Sequence, residues 1–95
     1  MERRHHFHLD HRGHSVTVST RTGRACDIEV LVDGKEIAHQ KVRDRGTIML
    51  DGELPEDPPT PFRIRLRQAR FGSLAPYCVL EVEGTDLRMP ERLYV

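Results

Sequence analysis

The chain has 95 residues and a mass of 11.0 kDa, which suits one small domain and leaves little interior for a large enclosed cofactor. Lysine and arginine number 15, as do aspartate and glutamate, so the composition excludes the strong field of a general nucleic-acid or anionic-membrane binder. No apolar run approaches membrane-spanning length, and the amino-terminal residues do not resemble a signal peptide. We therefore expect a cytoplasmic protein whose main partner is neither a membrane nor a nucleic acid.

The first half of the chain has the period-two alternation of β-strands and no stretch with helical spacing. Residues 5–9 are predicted to form an edge strand, and residues 14–20 a second strand. Residues 25–32 place alternate aliphatic side chains on one face and are predicted to lie at the centre of a sheet. Asp33-Gly34 accepts the positive φ values of a type I′ turn, so it predicts a tight hairpin into residues 35–42.

The second half continues the same pattern. Further strands are predicted over residues 47–50, 62–67, 78–83 and 86–89, with a turn at Gly84-Thr85 and a closing strand over 92–95. Residues 53–61 contain four prolines, which favour a loop that crosses between sheets or shields an edge. The chain is thus predicted to be all-β, a single domain over residues 1–95 built as an antiparallel two-sheet β-sandwich of seven or eight short strands. A small β-barrel is the alternative.

The two cysteines are expected to be ordinary buried thiols. Cys26 and Cys78 lie far apart and outside any Cys-x-x-Cys spacing, and each is in register with aliphatic residues of its own strand. Both are predicted to face inward and to be reduced.

Two clusters carry a family resemblance. One is Val32-Asp33-Gly34-Lys35-Glu36 after an aliphatic strand, and the other is Tyr77-Cys78-Val79-Leu80-Glu81-Val82-Glu83-Gly84 near the end. Together they resemble the Fas apoptosis inhibitory molecule family, which pairs a strand–VDGKE hairpin with a later Tyr-x-x-Leu-Glu-x-x-Gly strand, and the resemblance covers about residues 14–87. Eukaryotic members carry two such sandwiches and an aromatic-rich segment after the hairpin, where this chain has Ile37-Ala38-His39-Gln40-Lys41. The resemblance implies a compact non-catalytic β-sandwich that binds other proteins or protects them from aggregation.

The amino-terminal segment 1–13, predicted to be a His-rich edge or a flexible segment, suggests a metal site. Five of the six histidines lie together: His5, His6, His8, His11 and His14. In an extended segment His6 and His8 share a face and can chelate zinc, with Asp10, His11 or His14 as a third ligand. A zinc-binding domain that uses His6, His8, His11 and His14 is therefore the alternative function. Because the spacing matches no structural zinc motif, the favoured interpretation is a solvated histidine-rich segment and no cofactor.

The candidate binding residues are arginines. Arg63, Arg65 and Arg67, extended by Arg70, form a row on the outer face of one strand that could bind phosphates or an acidic partner. Glu81 and Glu83 lie on the outer face of the next strand, so the row is also expected to form cross-strand Arg–Glu pairs worth about 0.2–1 kcal/mol each. The neutral ladder is the favoured interpretation because the charges of the whole chain sum to zero.

Enzyme activity is not expected. The serines at positions 15, 19 and 73 lie outside any Gly-x-Ser-x-Gly motif, and the chain has no Gly-rich phosphate loop. Glu53, Glu56 and Asp57 fall in the proline-rich loop, where no burial is predicted to raise a carboxyl pKa toward neutrality.

The predicted function is a protein-interaction module. Such a module presents an edge strand or an outer face to a protein partner or to a second copy of itself. The segment before Gly13 and the terminal Leu93-Tyr94-Val95 are the predicted open edges, since three β-favouring residues do not resemble a solvated tail.

Overall fold

The computed structural model describes residues 3–22, 25–43, 46–67 and 76–92. Its strands are β1 (Arg3–His11), β2 (His14–Thr22), β3 (Cys26–Val32), β4 (Lys35–Val42), β5 (Thr47–Leu54), β6 (Thr60–Arg67), β7 (Tyr77–Val82), β8 (Thr85–Met89) and β9 (Glu91–Arg92). They form two separate antiparallel sheets, so the predicted all-β, two-sheet class is confirmed. Among these residues the structure has no helix with the length and apolar character that crossing a membrane requires.

The chain divides into two compact units, each with its own sheet. The first unit contains residues 1–44 and 90–95 and has the strand order β4-β3-β2-β1-β9, and the second contains residues 45–89 and has the order β5-β6-β7-β8. The single domain predicted over residues 1–95 stays a prediction.

In the first unit, β1 is an inner strand. It pairs with β2 along its whole length, from Arg3 to His11, and with β9 on its other side at His6 and Phe7. The His8 N–H also donates to the Pro90 carbonyl oxygen at 3.0 Å. The prediction of an edge strand over residues 5–9, or of a flexible segment, is therefore wrong, because the chain returns after Pro90 to cover that side.

Each sheet has one apolar face, as the alternation predicts. In the first unit the buried apolar side chains are Phe7, Val16, Val18, Cys26, Ile28, Val30 and Val32. In the second unit that face consists of Ile48, Leu50, Leu54, Phe62, Ile64, Leu66, Cys78, Leu80, Val82 and Met89. The intervening side chains, which are mostly polar, point to the opposite faces and supply the candidate functional residues.

The proline-rich segment 53–61 has a different role from the predicted one. β5 runs to Leu54 and β6 begins at Thr60, and these two strands pair with each other from Thr47↔Arg67 to Leu54↔Thr60. The segment is a hairpin connection within one sheet, so its assignment as a crossing loop is wrong. The change of sheet occurs instead between Val42 of β4 and Thr47 of β5.

Three hairpins turn through paired positive φ values, the signature of a type I′ turn. The pairs are Arg12-Gly13 (54° and 80°), Asp33-Gly34 (52° and 82°) and Glu83-Gly84 (51° and 73°). The Asp33-Gly34 turn is confirmed, and the last turn lies one residue before the predicted Gly84-Thr85.

Gly34→Val should lower the free energy of unfolding by about 1–3 kcal/mol. A Cβ at this position would meet nothing within 4 Å, so the cost comes from holding a β-branched residue at positive φ. Denaturant unfolding measures it. Gly34→Asn is the control, since asparagine tolerates this region, and equal stability of the two variants would contradict the explanation.

Both cysteines are free and buried, as predicted. Burial raises the pKa of the Cys78 thiol to about 12. Its S–H donates to the Met89 sulfur, and the two sulfur atoms lie 3.6 Å apart. Burial, together with the charge of Asp27, also raises the pKa of Cys26.

We expect a thiol reagent to label neither cysteine in the native protein at neutral pH, and both in denaturant. Because the Cys78 thiol has a higher pKa folded than its ordinary 9.0, the unfolded state releases its proton first and stability should fall as pH rises from about 9 toward 12. Cys78→Ala should therefore lose less unfolding free energy than the wild type over this alkaline range, as measured by denaturant unfolding at a series of pH values. Rapid native labelling of Cys78 would contradict its burial.

Candidate functional site

The outward side chains of the second unit's sheet form a face that we call the charged face. Register aligns them in rows across the strands: Asp51, Arg63, Glu81 and Asp86; then Met49, Arg65, Val79 and Arg88; then Thr47, Arg67 and Tyr77. The first row contains three carboxylates, and the other two rows contain none; Glu53, which also points outward, lies beyond the first row on β5. The charged face therefore has an acidic end and a basic end.

At the acidic end the predicted neutral ladder is present. Arg65 donates to Glu81 at 2.9 Å, and its other terminal nitrogen lies 3.5 Å from Asp86. Arg63 donates through Nε to Asp51 on β5, also at 2.9 Å, and this bond and charge raise the pKa of the Arg63 guanidinium. These exposed pairs contribute little to stability, and they leave the two arginines neutralised.

At the basic end the cations surround an aromatic ring. The guanidinium carbons of Arg67 and Arg88 each lie 5.9 Å from the centroid of the Tyr77 ring, within cation–π range. Arg67 also donates to the Tyr77 hydroxyl at 3.4 Å. This hydrogen bond and the charges of Arg67, Arg65 and Arg88 lower the pKa of Tyr77.

Arg67 and Arg88 differ from the other two arginines in having no carboxylate partner within 4.0 Å among the described residues. Arg70, the fourth member of the predicted row, lies outside the described residues. Of the predicted binding residues, Arg63 and Arg65 thus belong to the neutral ladder, and Arg67 belongs to a group with Tyr77 and Arg88 that sequence reasoning missed. In the sequence Arg88 lies between the apolar residues Leu87 and Met89. This alternation predicts that its side chain points outward, and it is the signal that could have identified Arg88.

A second feature of this unit is the free edge of β5. All eight residues of β5 pair with β6, and no described strand pairs with the other side. The side chain of Met49 is 52% exposed, and β5 itself contains no lysine or proline. The edge is long, and its inward row, Ile48, Leu50 and Leu54, is buried.

A cleft of about 340 Å³ lies at the acidic end of the charged face. Its polar side chains include Asp51, Arg63, Glu81 and Asp86, which already form the ion pairs described above. The charged side chains that line the cleft are therefore engaged with one another, and its lining residues include no paired nucleophile and base.

The histidines of the first unit bind neighbouring side chains. His8 Nδ1 lies 3.0 Å from the Thr17 hydroxyl oxygen, and His8 Nε2 lies 3.0 Å from an Asp10 carboxylate oxygen. In the neutral ring Nε2–H donates to Asp10, and Nδ1 accepts from Thr17. His6 Nδ1 lies 2.9 Å from the Ser19 hydroxyl. Both nitrogens of His8 are thus already engaged, although His6 and His8 share a face as predicted.

His11 and His14 lie elsewhere. They are directly paired across the Arg12-Gly13 turn, which places them on the face opposite His6 and His8. His14 Nδ1 lies 2.9 Å from an Asp33 carboxylate oxygen. In the described part of the chain no three His, Cys, Asp or Glu side chains are placed to hold a metal ion, so the four predicted zinc ligands do not converge.

Comparisons with protein-family models, with curated proteins and with solved structures give no match for this chain. The resemblance to the Fas apoptosis inhibitory molecule family stays a prediction. The proposed function therefore rests on the geometry of the chain itself.

Asp33→Asn should remove a component of acid sensitivity. The bond from His14 and the Ser15 N–H, which donates at 2.9 Å, lower the pKa of Asp33 below its ordinary 3.8. The ionised carboxylate therefore stabilises the fold above that value, and the contribution is lost as pH falls below it. Unfolding of both proteins between about pH 6 and pH 2.5 measures the difference. Asp57→Asn, in the exposed β5–β6 connection, is the matched control; equal acid profiles for Asp33→Asn and wild type would contradict this linkage.

Proposed function

We propose that this chain is a non-catalytic protein-interaction module that associates through the open edge of β5 with β5 of a second copy. The supporting observation is an eight-residue edge strand with a buried inward row and an exposed methionine. Unpaired backbone N–H and C=O groups on such an edge are a template for another strand. A protein-interaction role is also what the family resemblance implies.

The other edges are less suited to strand pairing. β4 carries both lysines of the chain, Lys35 and Lys41, and its pairing with β3 is interrupted by a bulge near Val30. Lysines and bulges are devices that protect sheet edges. β9 has two residues, and the five residues of β8 include the charged side chains Asp86 and Arg88, which disfavour pairing with a further strand.

The residues of β5 favour an antiparallel partner identical to itself. Asp51 and Glu53 lie in its carboxyl-terminal half, and its outward residues Thr47 and Met49 are uncharged. Antiparallel pairing places the acidic half of one copy beside the neutral half of the other, whereas in-register parallel pairing would oppose like charges.

One register brings apolar residues together. With Met49 opposite the partner's Met49, residues 47–51 of the two copies pair, so that Ile48 faces Leu50 and Thr47 faces Asp51. A single-strand interface buries less than the roughly 1,200–2,000 Å² of a standard complex. We therefore expect concentration-dependent dimerisation with a dissociation constant of about micromolar to tens of micromolar.

Met49→Lys should weaken self-association about tenfold or more, because two lysines would face each other across the two-fold axis. Sedimentation over a concentration series measures this. Ile37→Lys is the matched control: Ile37, on β4, is the other large apolar side chain that is exposed among the described residues, at 39%, and the same change there should leave association unchanged.

A cysteine variant tests the register directly. Both native thiols are buried, so Met49→Cys adds an accessible one, and mild oxidation should join two chains through it because directly opposed residues satisfy disulfide geometry. Ile37→Cys should remain uncrosslinked. A wild-type chain that stays monomeric up to about 1 mM, or equal effects of the changes at positions 49 and 37, would overturn the proposal.

A further inference from the structure

We propose that Arg67, Tyr77 and Arg88 form a binding site for a phosphate group, carried either as the free ion or as a phosphomonoester. The site lies at the basic end of the charged face, on β6, β7 and β8. It requires neither the β5 edge nor self-association.

The arginines of the charged face differ in whether a carboxylate neutralises them. Four arginines point outward on this face, and the carboxylates Asp51, Glu81 and Asp86 contact Arg63 and Arg65. Arg67 and Arg88 contact the Tyr77 ring instead.

Arg67 and Arg88 flank the ring of Tyr77. β6 and β8 lie on opposite sides of β7, so the two guanidiniums approach the ring of Tyr77 from flanking strands, each at 5.9 Å from its centroid. Contact with the ring restrains both side chains before any ligand arrives, which reduces the entropy lost on binding.

The hydrogen-bond donors of these three side chains match a phosphate group. Each guanidinium offers paired N–H donors suited to a phosphate. The Tyr77 hydroxyl accepts from Arg67 at 3.4 Å, so its own O–H is available to donate to a ligand oxygen. A phosphate group has about two negative charges and three acceptor oxygens, enough for two guanidiniums and one phenol. The lowered pKa of Tyr77 reports the positive potential that such an anion would meet.

The test is titration of the full chain with inorganic phosphate and, separately, with O-phosphoserine in about 0.15 M salt. The Debye length there is about 8 Å, and the Arg63–Glu81 row lies four residues from Tyr77 along β7, about 13 Å away. Arg63→Gln is therefore a matched control on the same face. We expect binding that saturates below about 10 mM, weakened at least tenfold by Arg67→Gln or Arg88→Gln and less than twofold by Arg63→Gln.

A second readout follows the phenol itself. The chain has two tyrosines, Tyr77 and Tyr94, so a Tyr94→Phe background leaves one phenol to titrate by ultraviolet absorbance. Bound phosphate should raise the pKa of Tyr77, because the anion offsets the guanidinium charges.

The two ligands identify the source of the phosphate. Equal affinities support recognition of the phosphate group alone, and tighter binding of O-phosphoserine supports a phosphomonoester. Absence of saturable binding by either ligand, or equal weakening by all three glutamine variants, would overturn the proposal.

Discussion

The positive φ values at Arg12-Gly13, Asp33-Gly34 and Glu83-Gly84 determine which side chains meet in this protein. A two-residue type I′ turn fixes the register of the strands that it joins, and a shift of one residue would move every side chain to the other face. The Glu83-Gly84 turn aligns Glu81 with Asp86 and Val79 with Arg88. The position of Asp86 at the acidic end and of Arg88 at the basic end of the charged face follows from that alignment.

The separation of charge on this face arises from neighbours, since β6 itself carries a uniform row of arginines. Arg63 lies between Asp51 of β5 and Glu81 of β7, whereas Arg67 lies between Thr47 and Tyr77. Chemically identical residues on one strand therefore have opposite surroundings: one is held by carboxylates, and the other packs against an aromatic ring. Exposed pairs of the first kind contribute little to stability, so their main consequence is to restrict uncompensated positive charge to one end.

Local patterns predicted much of this arrangement, and pairings between distant segments were harder. Alternation identified the strands, and the chemistry of Asp33-Gly34 identified its turn. The proline-rich segment 53–61 was predicted to cross between sheets, but Pro61 belongs to β6 and pairs with Glu53 of β5. Proline content alone does not distinguish a hairpin connection from a crossing between sheets. The inner position of β1 depends on a return of the chain 84 residues later, at Glu91 opposite Phe7, which no local pattern encodes. The Arg–Glu ladder was predicted, but Arg88 and Tyr77 come together only through the register of β7 with β8.

β4 and β5 are both edge strands, and the difference between their sequences bears on the proposed association through β5. Both strands have eight residues and end a sheet, yet β4 is exposed along most of its length and carries both lysines, while β5 alternates buried aliphatic residues with outward Thr47, Met49, Asp51 and Glu53. A composition that places its few lysines on one edge protects that edge from pairing. The acidic residues of β5 do not protect it equally, because they occupy only one half of the strand and an antiparallel copy avoids opposing them. Lysines that protect β4, together with a directional restriction at β5, are what the proposed association through one edge and in one orientation would require.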